Sequence, residues 1–295
     1  MNPRRQIRRK RQEITPNAGC HRVLKRYGSK IKLVPTILRL MPKHECYVET
    51  FGGSGAVLLA KDPSKIEVYN DLDEEVVNFM RVLSTPSQRR RLIARLNPPL
   101  YSRSEYQRCM KGYSKLAFSI ERAARFYILT TQSLNGRFMG GWSRAKSQNV
   151  AKTYANRLKL LEIAAKRLSE TIIENQDFER IARFYDSADA LHYIDPPYYP
   201  SSRTDPKRYV HEMTEKEHER LLSVVNELKG AVILSGYENN AYEDALKGWH
   251  KIDISVSCSA RVMKNPSKNR PRRLEVLWLN YEPPVDVVSV NRKAA

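Results

Sequence analysis

Short apolar runs of five to seven residues alternate along this chain with longer stretches in which apolar positions recur every three or four residues. CYVETF (46–51), KIEVYND (65–71), TIIEN (171–175), ALHYID (190–195) and AVILSGY (231–237) are compact, rich in β-branched and aromatic residues, and bounded by Gly, Asp or Asn. They read as strands. IKLVPTILRLM, AVLLAK, EEVVNFMRVLS, ANRLKLLEIAAKRLSE (155–170, read as one amphipathic helix) and TEKEHERLLSVVNELK (214–229) follow the helical period. Thr214 and Glu217 stand in capping-box positions at the start of the last helix. HKIDISVSC (250–258) and RRLEVLWLNY (272–281) read as two closing strands, and the cationic RVMKNPSKNRP between them predicts a hairpin. Strands alternating with helices predict an α/β fold built on an open, Rossmann-like sheet with helices on both faces.

The rhythm breaks between about 85 and 150, in a region rich in Arg, Tyr, Ser and Gly that ends near SLNGRFMGGWSRAKSQN (133–149). A gap of about 70 residues is too long for one loop in such a fold, so an inserted, mostly helical subdomain is expected. The predicted organisation is a basic arm (1–22), a discontinuous main domain (23–84 and 155–285), an insertion (85–154) and a tail (286–295). Ligands in such sheets bind at the carboxyl ends of strands. Gly52 to Gly55, Asp71, Asp177 and Asp195 all fall there.

Charge changes the picture next. Fifty-two Lys and Arg against 32 Asp and Glu give a formal charge of +20 in 295 residues. A surplus that large repels itself and points to a polyanionic partner, nucleic acid first and an anionic membrane surface second. No stretch approaches the roughly 18 apolar residues of a spanning helix. Cys20, Cys46, Cys109 and Cys258 are scattered, without CxxC or Cys/His spacing. That argues against a disulfide framework and against structural zinc, and a reducing, cytoplasmic setting is expected. The arm, with Arg4, Arg5, Arg8, Arg9, Lys10 and Arg11, is either a phosphate-gripping tail or a solvated terminus.

Four stretches carry chemistry. ETFGGSGAV (49–57) is a glycine turn between strand and helix that lets a ligand approach the backbone; it spells neither GxGxxG nor a P-loop. In VYNDLD (68–73), Asp71 lies about 20 residues further on, where an acid accepts from ribose hydroxyls or caps the next helix. In ENQDFER, Asp177 and Phe178 can hold an adenine by its amino group and its face, or serve as a helix cap and a core ring. DPPY (195–198) is the most specific. By chance it occurs in roughly one chain of this length per thousand. An adenine amino nitrogen is a poor nucleophile because its lone pair is delocalised. Asp195 and the Pro196 carbonyl can each accept one N–H and aim that lone pair at an electrophilic methyl group. Pro196 and Pro197 stiffen the turn, and Tyr198 offers a stacking face. Such a pocket reaches a duplex base only if the base is flipped out.

The order YGSK (27–30), ETFGGSGAV, YNDLD, a long insertion, NQDF, DPPY, ILSGY (233–237) and EVLWLNY (275–281) resembles the Dam-type (D12 class) DNA adenine-N6 methyltransferases over roughly residues 23 to 282. The resemblance implies an S-adenosylmethionine-dependent methyltransferase sheet with an inserted target-recognition subdomain, acting on duplex DNA in a bacterial or phage-infected cell, with no metal. It implies Tyr27 and Lys30 beside the cofactor, and Phe51, Gly53 and Gly55 along its methionine side. Asp71 would take its ribose, and Asp177 and Phe178 its adenine. Asp195, Pro196, Pro197 and Tyr198 would do the chemistry. Arg26 stands where the family often has an aromatic residue. The insertion's SLNGRFMGGWSR differs from the hairpin of GATC-specific members, so no recognition sequence is assigned. Asn135, Arg137, Arg144, Lys207, Arg208 and Arg270 are the candidate DNA contacts; Arg137 either reads guanine or holds phosphate. Methylation of structured RNA, or an inactive nucleic-acid-binding module, are the competing readings.

Overall fold

A computed structural model describes residues 22–26, 28–199, 211–257 and 272–284, with backbone alone at 255–257 and 272–274. Tyr27, Lys207, Arg208 and Arg270, the arm up to residue 21, the loop of the late hairpin and the tail lie outside the described residues. Seven strands form one sheet: β1 (Cys46–Glu49), β2 (Ile66–Asn70), β3 (Ile172–Glu174), β4 (Ala190–Ile194), β5 (Ala231–Gly236), β6 (His250–Ser257) and β7 (Arg272–Leu279). Their spatial order is β3-β2-β1-β4-β5-β7-β6. β1 to β5 are mutually parallel, and β7 lies antiparallel between β5 and β6. The order reverses between β1 and β4, where Glu49 lies opposite Tyr193. A crevice opens at such a reversal, beyond the carboxyl ends of the strands.

Helices cover both faces, so the central strands β1 and β4 are buried throughout. Side chains alternate across the sheet with period two. Tyr47, Tyr69, Leu191, Tyr193 and Ile233 face one apolar cluster. It is shared with helices α1 (Val34–Leu40), α2 (Ala56–Ala60) and α3 (Glu74–Ser84). The opposite face, with Ile194, Val232 and Leu234, packs on α9 (Phe178–Phe184), α10 (Glu215–Glu227) and α11 (Asn240–Ala245).

The 85–154 region is helical: α4 (Pro86–Leu96), α5 (Arg103–Met110), α6 (Ile120–Thr131) and the start of α7 (Val150–Leu158). α6 packs on α3, with Tyr127 stacked on Phe79 at 5.4 Å, so one apolar core runs from the sheet into this region. The single helix expected at 155–170 is two, α7 and α8 (Leu161–Leu168), separated by a turn at Lys159 and Leu160. The break re-aims the chain. Tyr154 on α7 and Leu161, Ala164, Ala165 and Leu168 on α8 then all reach that core. The capping box of α10 is present, with Glu217 accepting from Thr214 N at 2.7 Å.

At the end of the sheet opposite the crevice, three ionic side chains are buried together. Glu67 of β2 accepts from Lys61 Nζ at 2.6 Å and from Arg167 Nη2 of α8 at 2.6 Å, with a second Arg167 contact from Nη1. Buried charges persist only when paired. Glu67→Ala would strand two cations, so we expect it to lower unfolding stability by about 3–5 kcal/mol in urea titration. A loss under 1 kcal/mol would mean that the cations reach solvent.

Candidate active site

The glycine turn follows β1. Gly52 N–H donates to the Asn70 carbonyl at 2.7 Å, and a Cβ on Gly52 would stand 2.2 Å from the Tyr69 ring, so no larger residue fits. Gly53 has φ +52°, in the left-handed region that glycine enters freely, and a Cβ there would meet nothing within 4 Å. That side of the turn faces open space. The Asn70 side chain joins three strand ends. Its Nδ2 donates to the carbonyls of Thr50 (2.9 Å) and Gln176 (3.0 Å), and its Oδ1 accepts from Gln176 N at 2.9 Å.

Asp71 resolves one alternative left open by the sequence. The N-cap of α3 is Asp73, which accepts from Glu75 N at 3.0 Å. Asp71 instead accepts from Gly53 N (2.7 Å) and Asp73 N (2.8 Å), clamping the glycine turn onto the end of β2. Asp177, in contrast, does cap its helix, accepting from Glu179 N at 3.0 Å. Phe178 is buried, with its ring stacked on Phe51 at 5.6 Å.

Asp195 ends β4. Lys30, itself buried, reaches Asp195 Oδ1 at 2.9 Å, Glu275 Oε1 of β7 at 2.7 Å and the Tyr198 hydroxyl at 2.7 Å. Ser235 of β5 donates to Glu275 Oε1 at 3.1 Å. The Tyr198 ring is stacked on Tyr237 at 4.1 Å and 23°. Burial pushes the Asp195 carboxyl up to about 6; Lys30 pulls against that rise and Glu275 adds to it. For Lys30, burial is outweighed by Asp195, Tyr198 and Glu275, which hold the ammonium well above the usual lysine range.

Most of these pieces line one cleft of about 1000 Å³, its solvent-open mouth included, with Tyr198 and Glu275 outside its lining. Lys30, Phe51, Gly53, Asp71, Asp177, Phe178, Asp195, Pro196 and Pro197 all contribute. Gly55 stands behind the lining as the N-cap of α2, with φ +64°. The 133–142 turn sits against the segment that carries Arg26 and Lys30. Gly136 packs on the Lys25 carbonyl, where a Cβ would come within 2.9 Å, and Lys25 Nζ donates to the Ser133 carbonyl at 2.7 Å. Asn135, Arg137 and Arg144 are exposed there, and Asn135 holds a left-handed φ of 55°. Among the described residues no metal-binding group of His, Cys, Asp or Glu is gathered, and no helix is long and apolar enough to cross a membrane.

A model of the D12 class N6 adenine-specific DNA methyltransferase family matches residues 27–257. The chain belongs to this family. The DNA adenine methylase of Escherichia coli (strain K12) is 27% identical over 186 residues, 61% of this chain and 66% of that protein. Those of Salmonella typhi and Salmonella typhimurium are 26% identical over the same shares. The chain thus spans 66% of the length of these curated relatives.

In this D12-class chain four site residues had been given no role from the sequence. Glu275 had a signal: a lone carboxylate inside the apolar EVLWL of a closing strand. Arg220 had none, because it lies on the polar face of α10 and reaches Asp177 only through the fold. Arg26, where an aromatic ring was expected, pairs with Asp73 Oδ2 at 2.6 Å. Glu49, the last residue of β1, accepts from the Tyr47 hydroxyl (2.8 Å) and Leu58 N (2.9 Å), both at Oε2. Burial pushes its carboxyl up to about 8.

That shift has a definite sign. The folded chain holds the Glu49 proton over a range in which the unfolded chain has released it, so the associated stability is full below about pH 4.5 and is lost as pH rises through about 8. Glu49→Gln keeps a neutral acceptor. We expect it to unfold at the wild-type temperature near pH 5 and at a progressively higher one, relative to wild type, as pH rises from 6 to 9. A pH-independent difference in thermal melts would refute this.

Proposed function

We propose that the chain transfers a methyl group from S-adenosylmethionine to the N6 amino group of adenine in duplex DNA. One observation carries this reading. Asp195 and its two prolines stand across the sheet's reversal point from the glycine turn, in the same cleft as Asp71, Asp177 and Phe178. Family membership and the named DNA adenine methylases support it.

The lining fits the cofactor. The Gly53 side of the turn is open, the Phe51–Phe178 pair offers an aromatic wall for a base, and the lining carries more carboxylates than cations, which suits a sulfonium. Bound there, S-adenosylmethionine supplies an electrophilic methyl group. Phe51 and Gly53 form the methionine side with Gly55 turning the chain behind them, Asp71 the ribose side, and Asp177 with Phe178 the adenine side. Lys30 fixes Asp195 and the Tyr198 hydroxyl together. Asp195 accepts one N–H of the target amino group and the Pro196 carbonyl the other, leaving the nitrogen lone pair directed into the cleft. Pro197 holds the turn rigid, and Tyr198 supplies a face for the target base. A base in a stacked duplex cannot enter, so the target is flipped out. Proximity and orientation supply much of the rate.

The formal charge of +20 suits a polyanionic partner. Asn135, Arg137 and Arg144, exposed beside the segment that enters the cleft, are proposed DNA contacts in a target-recognition region at 85–154. The same role is proposed for Lys207, Arg208 and Arg270. A cytoplasmic location, where DNA is reachable, accords with the bacterial relatives.

Tritiated S-adenosylmethionine offered with duplex DNA or with structured RNA tests the reading, with Asp195→Ala as control. Label is expected in DNA alone and is lost in the variant, while DNA binding persists. Label in RNA alone, or wild-type turnover by the variant, would overturn it. A second expectation follows from the Asp195 carboxyl lying at about 6. The ionised form is the stronger acceptor for the amino N–H, so single-turnover rates should level off above pH 7. Below about 6 they should fall roughly tenfold per pH unit, and a rate flat from pH 5 to 8 would place the ionisation elsewhere.

A further inference from the structure

Arg220 lies on α10, outside every motif, and its position is unusual for a surface cation. Its Nη2 reaches Asp177 Oδ2 at 2.7 Å, and its Nη1 reaches Asp177 Oδ1 at 3.1 Å and Glu179 Oε2 at 3.3 Å. The guanidinium carbon stands 4.4 Å over the Phe178 ring, and Phe178 is itself stacked on Phe51. Arg220, Asp177, Phe178 and Phe51 all line the cleft. Arg220 and Asp177 are each 42% exposed, so as a plain surface ion pair they would add little to stability. What the arrangement does is fix the Asp177 carboxylate in a plane and choose which of its lone pairs are spent.

The accounting is specific. Oδ1 already accepts two donors, Glu179 N and Arg220 Nη1. Oδ2 accepts one, Arg220 Nη2. A carboxylate oxygen has two lone pairs in its plane, so among the described residues one acceptor position is left on Oδ2, on a side chain that lines the cleft. A planar bidentate guanidinium holds that position in a fixed direction, which a lysine ammonium cannot do.

We propose that Arg220 is a positioning residue that makes the cofactor subsite selective for an amino-bearing purine. It aims the one remaining acceptor of Asp177 at the exocyclic amino N–H of the base. A 6-oxo purine presents an acceptor at that place, and two acceptors facing each other leave both unpaired. This inference rests on the reading that the cofactor's adenine lies at Asp177 and Phe178, and the test separates the two.

Isothermal titration of the full chain would measure binding of S-adenosylhomocysteine and of its deaminated analogue S-inosylhomocysteine. The proteins would be wild type, Arg220→Ala, Arg220→Lys and Asp177→Asn, the last keeping a residue that caps α9. In Arg220→Ala we expect S-adenosylhomocysteine to bind about tenfold more weakly, with the preference for adenine over hypoxanthine largely lost. Arg220→Lys should restore charge but less than half of that preference. Equal weakening of both compounds in Arg220→Ala would overturn the positioning role. So would unchanged affinity and preference in Arg220→Ala alongside an effect of Asp177→Asn, which would leave the adenine reading standing. If neither Arg220→Ala nor Asp177→Asn changes either affinity, the adenine lies elsewhere and both ideas fail.

Discussion

A buried ammonium organises this molecule. Lys30 has three N–H donors, and the structure supplies three acceptors: Asp195 Oδ1, Glu275 Oε1 and the Tyr198 hydroxyl. Taking an ammonium out of water costs several kcal/mol, which only close, well-directed partners offset. The pairing therefore fixes the segment before α1 against the ends of β4 and β7 in one arrangement. Arg26, four residues earlier, does the same at the end of β2 through Asp73. Two cations thus strap one short stretch of chain across the carboxyl edge of the sheet, over the point where the strand order reverses. On that side these ion pairs act together with apolar packing, since Val23, Leu24 and Leu33 of the same stretch are buried in the core.

The antiparallel β7 is what makes the Lys30 site possible. Strands parallel to β4 and β5 would bring only their last residues to this edge. β7 runs the other way, pairing Leu277 with Ser235 and Val276 with Gly236, so its early residue Glu275 arrives at the carboxyl end of β5. There it accepts from Ser235 and from Lys30. Its carboxylate also lies near enough to Asp195 to raise that group's affinity for protons, while Lys30 opposes the rise. The proton affinity of the strand-end acid is therefore set first by burial, then by Lys30 and by a residue some 80 positions away in the chain.

Much of this was legible in the sequence because it rests on local rules. All seven strands, the glycine turn, the capping box and the placement of four chemical stretches at strand ends follow from periodicity and turn chemistry. α9 and α11 were missed because they bury only three and one residues, too few apolar positions to mark a period, whereas the equally short α1 and α2 bury four and five. The turn inside 155–170 was missed because the apolar spacing runs through it unbroken, and only the shape of the core decides it. Asp71 and Asp177 carried two readings each, and the sequence could not separate them. The fold gave the cap of α3 to Asp73 and freed Asp71 to clamp the turn, while it made Asp177 a cap and a cleft residue at once. Arg220 and the Arg26–Asp73 pair depend wholly on tertiary contact, so no local pattern announces them.

The distribution of charge joins the two halves of the function. The chain has a formal charge of +20, yet its cleft runs the other way. Asp71, Asp73, Asp177, Asp195, Glu212 and Glu217 line it, with the protonated Glu49, against Arg26, Lys30 and Arg220. Carboxylates in the cleft oppose the entry of phosphates, and a neutral base is not subject to that repulsion. The same interior favours a small cation. A uniformly basic protein would hold DNA without discriminating backbone from base, and a uniformly acidic one would not meet it. On the proposed reading, separating the signs would let long-range attraction deliver the duplex while short-range repulsion keeps its backbone out of the cleft.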